Sequence, residues 1–243
     1  WGEATYRRLR SIDMPHGWKS PIRFLESATG REFGSIDSHG FEGPAPGISP
    51  ALPVMSSQDL IEEIMVDAAR ASGLVDVRFA TEAMRLVKGG AAGDTEVVLE
   101  VRDRATGAVT QLHGAALVAA DGADSLIRGE LGIELEGSKN LHHVVNCYFR
   151  AAIEPHLGSR TGVLLFVNNP AASGVLQPLD ANGRWLSQIN VTAADWALDS
   201  FTSENAREWV RAAVGVADLD PGARRGLDGV PGGRRPGTGR RRR

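Results

Sequence analysis

The alternation of apolar and polar residues predicts a few amphipathic helices among many short strands. The clearest helix covers residues 56–72, where Ser56 or Ser57 caps the start and Gly73 closes the end. Its apolar side chains recur with the helical period on one face: Leu60, Ile61, Ile64, Met65 and Ala68. Acidic residues occupy the opposite face, so this helix is expected to pack one side against a core.

Strand patterns precede and follow this helix. Residues 21–36 predict a hairpin that turns at Thr29-Gly30, and the region after the helix predicts a three-stranded meander. Beyond Gly132 four apolar runs are separated by turn clusters, which predicts an antiparallel sheet. The predicted strands after the helix are 75–79, 96–102, 108–112, 143–151, 163–167, 174–179 and 185–191.

Three further segments complete the pattern. An amphipathic segment covers 6–12, and a second clear helix is predicted over 203–214 with a cap at Thr202 or Ser203. Residues 43–53 contain four prolines, which exclude a helix and predict an extended crossing between subdomains.

The stretch 115–128 holds the strongest chemical signal. Residues 115–120 are all small or apolar, which predicts a strand buried on both faces that ends at an Asp121-Gly122 turn. A helix should follow at once, capped by Asp124 or Ser125. Unpaired N–H groups at such a helix start favour an anion or a sugar hydroxyl, and open α/β sheets bind ligands at the carboxyl ends of their strands. The alternative is a strand that runs into a packing helix, with the Asp-Gly pair serving only as a turn.

Composition places the chain among globular proteins. A hydrophobic fraction of 42% over 243 residues is sufficient to bury a core, and no apolar run is long enough to span a bilayer, so no membrane partner is expected. The charged first ten residues lack a signal-peptide core, which makes a cytoplasmic location the expectation. Cys147 is the single cysteine, so an internal disulfide is excluded and a small hydrophobe on a strand is its expected role. The histidines show no metal-ligand spacing, and we expect no metal site.

The net charge of −3 hides a basic C-terminal end. Residues 221–243 contain eight Arg and one Asp together with seven Gly and three Pro, so we expect a disordered tail over 216–243. A basic tail is typical of nucleic-acid binding, but no aromatic residue is interleaved for base stacking and no binding motif accompanies it. We therefore expect no nucleic-acid partner.

The amino-acid sequence of the central stretch resembles a known flavin motif. Residues 120–128 read Ala-Asp-Gly-Ala-Asp-Ser-Leu-Ile-Arg, similar to the second flavin motif, G-A-D-G-x-x-S-x-V-R, of FAD-dependent aromatic hydroxylases of the p-hydroxybenzoate hydroxylase type. Ala119 stands where that family usually has Gly, and Ile127 where it usually has Val. Leu131-Gly132-Ile133 continues the match, since the family often has L-G-I after the Arg.

This resemblance implies an α/β (mixed α+β) fold, in which part of an FAD-binding Rossmann-like domain is interleaved with an antiparallel β-sheet substrate domain. The implied division has five parts. They are 1–20 as a partial nucleotide-domain helix region, 21–53 as a substrate-domain hairpin and linker, 54–140 as the FAD-binding portion with the Asp-Gly motif, 141–215 as the substrate-domain sheet and helix, and 216–243 as the tail.

The resemblance also implies which residues hold the cofactor. Asp121 and Gly122 would lie at the FAD phosphate and ribose region, with Ser125 and Arg128 supporting the turn. Gln58 matches a first-turn Gln that reaches the flavin in the family; the alternatives are a solvated Gln58 and a plain surface Arg128. No catalytic residue is assigned. Three aromatic residues either line the substrate pocket or fill the core of the sheet: Phe149, Phe166 and Trp185.

The implied reaction is hydroxylation of a phenolic or polyketide-type aromatic substrate by an FAD monooxygenase that consumes NAD(P)H and O2. Two alternatives stay open: a flavin-dependent halogenase or reductase of the same fold, and a non-catalytic α+β binding domain with a basic tail. The sequence contains neither a G-x-G-x-x-G segment opening a βαβ unit nor a G-D-A-A-H type segment. Together with Trp1 in place of an initiator Met, this predicts a piece of a longer enzyme, altered after about Asp220 by a frame change or a truncated gene, that alone binds FAD weakly or not at all.

Overall fold

The computed structural model describes residues 2–37, 51–91, 93–137, 142–180, 182–194 and 201–222. These residues form two compact units. The first unit contains the described residues up to Ala71 and from 142 onward, and the second contains those from 72 to 137. The predicted crossing over 43–53 falls mainly outside the described residues, as does most of the predicted tail.

The first unit contains a six-stranded sheet and most of the helices. Its strands are β1 (Ile22–Leu25), β2 (Glu32–Ile36), β6 (His143–Arg150), β7 (Leu164–Asn169), β8 (Ala172–Pro178) and β9 (Arg184–Val191). Its helices are α1 (Glu3–Ser11), a 3-10 turn (His16–Trp18), α2 (Gln58–Ala71), α4 (Glu154–Leu157) and α5 (Ser203–Val214). The predicted hairpin, the four later strands and both long helices are thereby confirmed. The short helix α4 was not predicted.

The sheet has the order β2-β1-β7-β8-β9-β6. All neighbours are antiparallel except β1 and β7, which pair in parallel with Phe24 opposite Phe166. The antiparallel sheet predicted for the four later strands is therefore confirmed, and the parallel pairing of the hairpin strand β1 with β7 was not predicted. The hairpin inserts β1 beside a strand about 140 residues further along the chain, and no local pattern reports such a pairing.

One face of this sheet carries the core of the first unit. Along β7 the side chains of Leu165 and Val167 are buried while Phe166 between them is 37% exposed, as the two-residue period of a strand requires. Helix α5 packs on the buried face and contributes five buried side chains, which are Ala206, Trp209, Val210, Ala213 and Val214. Gly174 in β8 permits this packing, because a Cβ there would lie 3.0 Å from Cζ2 of Trp209, and it would also lie 2.1 Å from the Gln188 carbonyl oxygen of β9.

Both ends of helix α5 have hydrogen-bond partners for backbone groups that the helix itself leaves unpaired. The Thr202 hydroxyl accepts the Asn205 backbone N–H, and the Asn205 side chain accepts the Thr202 N–H, which completes a capping box. At the other end the N–H groups of Ala28 and Thr29 donate to the carbonyls of Ala213 and Val214. The β1–β2 loop therefore caps the helix, and this links the hairpin to the core.

The second unit is a three-stranded meander with one short helix. Its elements are β3 (Thr81–Lys88), β4 (Val97–Asp103), β5 (Val109–Gly114) and α3 (Leu126–Glu130). The two later predicted strands are confirmed, but the predicted strand at 75–79 is wrong, because β3 begins at Thr81. Within this unit only Val98, Val101 and Ile127 are buried hydrophobic residues.

Candidate functional site

The segment that leads into the Asp-Gly motif is not a strand. Strand β5 ends at Gly114, residues 115–120 have no regular secondary structure, and Val118 is 88% exposed. The prediction of a strand buried on both faces is therefore wrong for this structure. A buried parallel strand needs hydrogen-bonding neighbours on both sides, and in the described part of the chain no strand pairs with this segment.

The Asp121 side chain organises the turn that follows. One carboxylate oxygen accepts the Ser125 hydroxyl at 2.5 Å, and the other accepts the Ile127 backbone N–H at 3.4 Å. The Ser125 hydroxyl in turn accepts the Arg128 N–H at 3.1 Å and is the N-cap of α3. The predicted helix and its Ser125 cap are thus confirmed.

Arg128 closes the same turn from the other side. Its guanidinium donates to the Ala123 carbonyl oxygen at 2.7 Å, so the chain from Asp121 to Arg128 folds back on itself. The Arg128 side chain therefore holds the backbone of the motif. Gly122 has φ 87°, which favours glycine, and nothing lies within 4 Å of the position that a Cβ would take.

The turn keeps Asp121 ionised. The Ser125 hydroxyl is the largest cause that lowers the pKa of Asp121 below its usual value; desolvation opposes it, and the N–H groups of the turn lower the pKa further. The carboxylate is exposed, and two acceptor positions are occupied of the roughly four that a carboxylate offers. Asp121 can therefore still accept a hydroxyl group from a ligand.

The N–H groups that were expected to be free at the helix start are already used. Helix α3 spans only five residues, and its Ile127 and Arg128 amides donate to Asp121 and Ser125. The geometry of this helix start therefore does not favour binding of an anion. A carboxylate that accepts hydrogen bonds suits a sugar hydroxyl better than a phosphate.

Gln58 lies in the first unit, whereas the Asp121 turn lies in the second. Gln58 is the first residue of α2, is exposed, and donates a hydrogen bond to the Glu62 side chain one turn further along the helix. Its neighbour Asp59 is bound by Arg184 from β9, a pairing across 125 residues that no sequence pattern indicates.

Two of the three candidate aromatic residues belong to the core. Trp185 is fully buried and Phe149 is 6% exposed, and both pack in the cluster beneath α5. A pocket-lining role for these two is therefore wrong. Phe166 lies on the opposite face of the sheet, where it stacks on Phe24 at a centroid distance of 5.3 Å and an interplanar angle of 19°.

The remaining candidate chemistry is limited. Among the described residues no group of three or more His, Cys, Asp or Glu side chains could hold a metal ion, and no helix is long and apolar enough to cross a membrane. Burial raises the pKa of the Cys147 thiol on β6, with a smaller opposing effect of the Ser187 hydroxyl. This thiol is a poor nucleophile at neutral pH.

Comparison with known proteins gives a consistent result. Residues 30–225 match the family described as an FAD binding domain. Tetracenomycin B2 monooxygenase-dioxygenase of Streptomyces olivaceus is 33% identical over 172 residues, which cover 71% of this chain and 31% of the relative. The 4-methyl-5-nitrocatechol 5-monooxygenase of a Burkholderia species is 32% identical over 225 residues, which cover 90% of this chain and 39% of the relative.

Solved structures show the same fold. A ternary complex of aklavinone-11 hydroxylase with FAD and aklavinone superposes with a TM-score of 0.72 at 25% sequence identity, over 89% of this chain and 41% of that one. The chain therefore spans about a third to two fifths of the length of the proteins that it matches.

Proposed function

Because this chain belongs to the FAD-binding family of class A flavoprotein aromatic hydroxylases, we propose that the whole protein uses FAD, NAD(P)H and O2 to hydroxylate a phenolic or polyketide-type aromatic ring. When bound, FAD would supply the redox chemistry that activates O2. The protein's own residues bind the dinucleotide, hold the ring beside it and keep water away from the site.

The observation that carries the proposal is the Asp121 turn within the matched range. Its carboxylate is held ionised by the Ser125 hydroxyl and remains open to solvent, so it is suited to accept a ribose hydroxyl of FAD. Gly122 leaves open space beside it, and Arg128 fixes the backbone of the turn. We assign Asp121 and Gly122 to the dinucleotide, Ser125 and Arg128 to support of the turn, and Gln58 to the flavin.

The face of the six-stranded sheet that carries Phe24 and Phe166 favours an aromatic substrate. Phe24 and Phe166 are each about one third exposed, and the stacked pair presents apolar ring surface on this face. Planar aromatic molecules gain both burial and ring stacking on such a surface. We assign Phe166, with Phe24, to contact with the substrate.

Titration of the chain with FAD tests the cofactor half of the proposal. Flavin fluorescence should be quenched in a saturable way as protein is added, with weak affinity because the chain spans only part of its relatives' length. Asp121→Ala should weaken that affinity about tenfold, the loss expected for one charge-assisted hydrogen bond. Asp124→Ala removes the neighbouring exposed carboxylate and should leave the affinity unchanged. Equal affinities for the Asp121→Ala chain and the unchanged chain would contradict the assignment.

The reaction itself has a separate readout. A phenolic substrate should become heavier by one oxygen atom only when FAD, NAD(P)H and O2 are all supplied. If the full-length protein consumed NAD(P)H without forming this product, hydroxylation would be contradicted. A flavin reductase would then be the remaining function.

A further inference from the structure

Arg184 lies where the sheet of the first unit meets the start of α2. It is the first residue of β9, and its guanidinium donates to the Asp59 carboxylate at 2.6 Å. The same guanidinium lies 3.7 Å from the Asp180 carboxylate, which itself accepts the backbone N–H of Arg184. Arg184 and Asp180 are mostly buried, at 22% and 16% side-chain exposure, whereas Asp59 is 59% exposed.

The sheet end of this contact is held by several hydrogen bonds. The Asp180 carboxylate also accepts the Asn182 N–H at 2.7 Å, so it closes the turn between β8 and β9. The Arg184 carbonyl accepts the Leu179 N–H at 2.8 Å, which fixes the backbone on the other side of that turn. A planar guanidinium held in this way can bind two carboxylates at once. A lysine ammonium on its flexible side chain does this less well.

The helix end of the contact is the first turn of α2. Asp59 immediately follows Gln58. A negative side chain at this position also interacts favourably with the positive end of the helix dipole. Partial burial raises the pKa of Asp59, but the Ser57 side chain and Arg184 more than offset it, and the pKa lies below its ordinary value. Asp59 is therefore an anion at neutral pH, and its bond to Arg184 is charge-assisted.

We propose that Arg184 is a positioning residue that ties the first turn of α2 to the sheet and thereby sets the place of the Gln58 side chain. The inference rests on the proposed function in one respect, namely that Gln58 contacts the flavin. Arg184 touches neither substrate nor cofactor in this proposal; it acts through Asp59.

The structure supplies a matched control on the same helix. Arg8 in α1 donates to Asp67 in α2 at 2.8 Å, and both side chains are about half exposed. Asp67 lies about 12 Å along the helix from Asp59. Asp67→Asn therefore removes one ion pair from α2 without touching its first turn.

The test compares Arg184→Gln, Arg184→Lys and Asp67→Asn in the full chain by two measurements. Amide hydrogen exchange should become about two- to fivefold faster at residues 61–64 in Arg184→Gln, which is the effect of losing one partly exposed ion pair. Affinity for FAD, measured by quenching of flavin fluorescence, should weaken by a similar factor. Arg184→Lys should recover part of both effects, and Asp67→Asn should change neither.

Three results would overturn the inference. Unchanged exchange at residues 61–64 in Arg184→Gln would mean that Arg184 does not order the turn. Faster exchange with unchanged FAD affinity would leave Arg184 a purely structural residue. Absence of FAD binding by the unchanged chain would overturn the flavin half of this inference, while the exchange measurement would still report separately on the turn.

Discussion

The most specific electrostatic feature at the scale of single residues is the short bond from Ser125 to Asp121. Because this hydroxyl is the main cause of the lowered pKa of Asp121, Ser125→Ala should raise that pKa toward its ordinary value. A carbon-detected NMR titration of the Asp121 carboxyl group measures the change directly. Ser125→Thr keeps a hydroxyl in place and should leave the pKa low, and a low pKa in Ser125→Ala would contradict the assigned cause.

The hydrogen bond from Ser125 to Asp121 also determines the direction in which the stability of the folded turn changes with pH. Asp121 has a lower pKa when folded than when unfolded, so its contribution to folding is complete above the unfolded value of about 3.9. The contribution is lost as the pH falls through the folded value. The α3 turn should therefore loosen only in acid, and Ser125→Ala should make it loosen at a higher pH.

The second prediction at this scale concerns the single cysteine. Burial raises the pKa of Cys147, so the folded chain should react with iodoacetamide at pH 8 at least about fivefold more slowly than the urea-unfolded chain. Mass spectrometry gives a clean readout, because each chain can gain at most one label. Equal rates in the two states would mean that the Sγ atom is open to the reagent in the folded chain.

Sequence alone predicted some of these residues and not others. Ser125 was predicted as a helix cap, because a serine followed by apolar residues is a local signal. The double role of Asp121, which accepts both the Ser125 hydroxyl and the Ile127 amide, depends on the path of the turn. The contact between Arg184 and Asp59 joins distant parts of the chain and leaves no local pattern.

At the scale of elements, helix α5 offers the clearest test. Thr202→Ala removes the side chain that caps it and should lower the free energy of unfolding by about 1 kcal/mol. Thr202→Ser keeps the hydroxyl and should cost much less. Urea denaturation followed by tryptophan fluorescence reports on this helix, since Trp209 lies in it and is buried. Equal stability of the two variants would mean that the capping box contributes little.

The elements also explain where periodicity misleads. Helices and strands that pack on the large core have an apolar stripe, and 203–214 was predicted with its observed bounds. Residues 75–79 alternate in the same way, yet Val75 and Phe79 are more than half exposed and the strand begins at Thr81. Residues 115–120 have the composition of a buried strand but lack neighbours in the described chain, so composition alone did not decide their structure.

On the scale of the whole molecule, the fold class follows from the sequence but the connections do not. The mixed α/β character and the FAD-binding family were both predicted from the pattern and the motif around Asp121, and the comparisons confirm them. The parallel pairing of β1 with β7 brings together segments that are far apart in the sequence. Such pairings depend on the complete set of strands, which is why the mixed sheet was not predicted.

The two compact units differ sharply in buried apolar surface, and their stabilities should differ accordingly. The core cluster of the first unit contains eighteen buried residues, whereas the described residues of the second unit include only three buried hydrophobic residues, Val98, Val101 and Ile127. Burial of apolar surface is the main favourable term in folding, so the second unit should unfold at lower urea. Residues 72–139 contain no tryptophan, so fluorescence follows only the first unit while far-UV circular dichroism follows both. The dichroism signal should therefore begin to fall before the fluorescence changes. Coincident curves would mean that the two units unfold as one cooperative body.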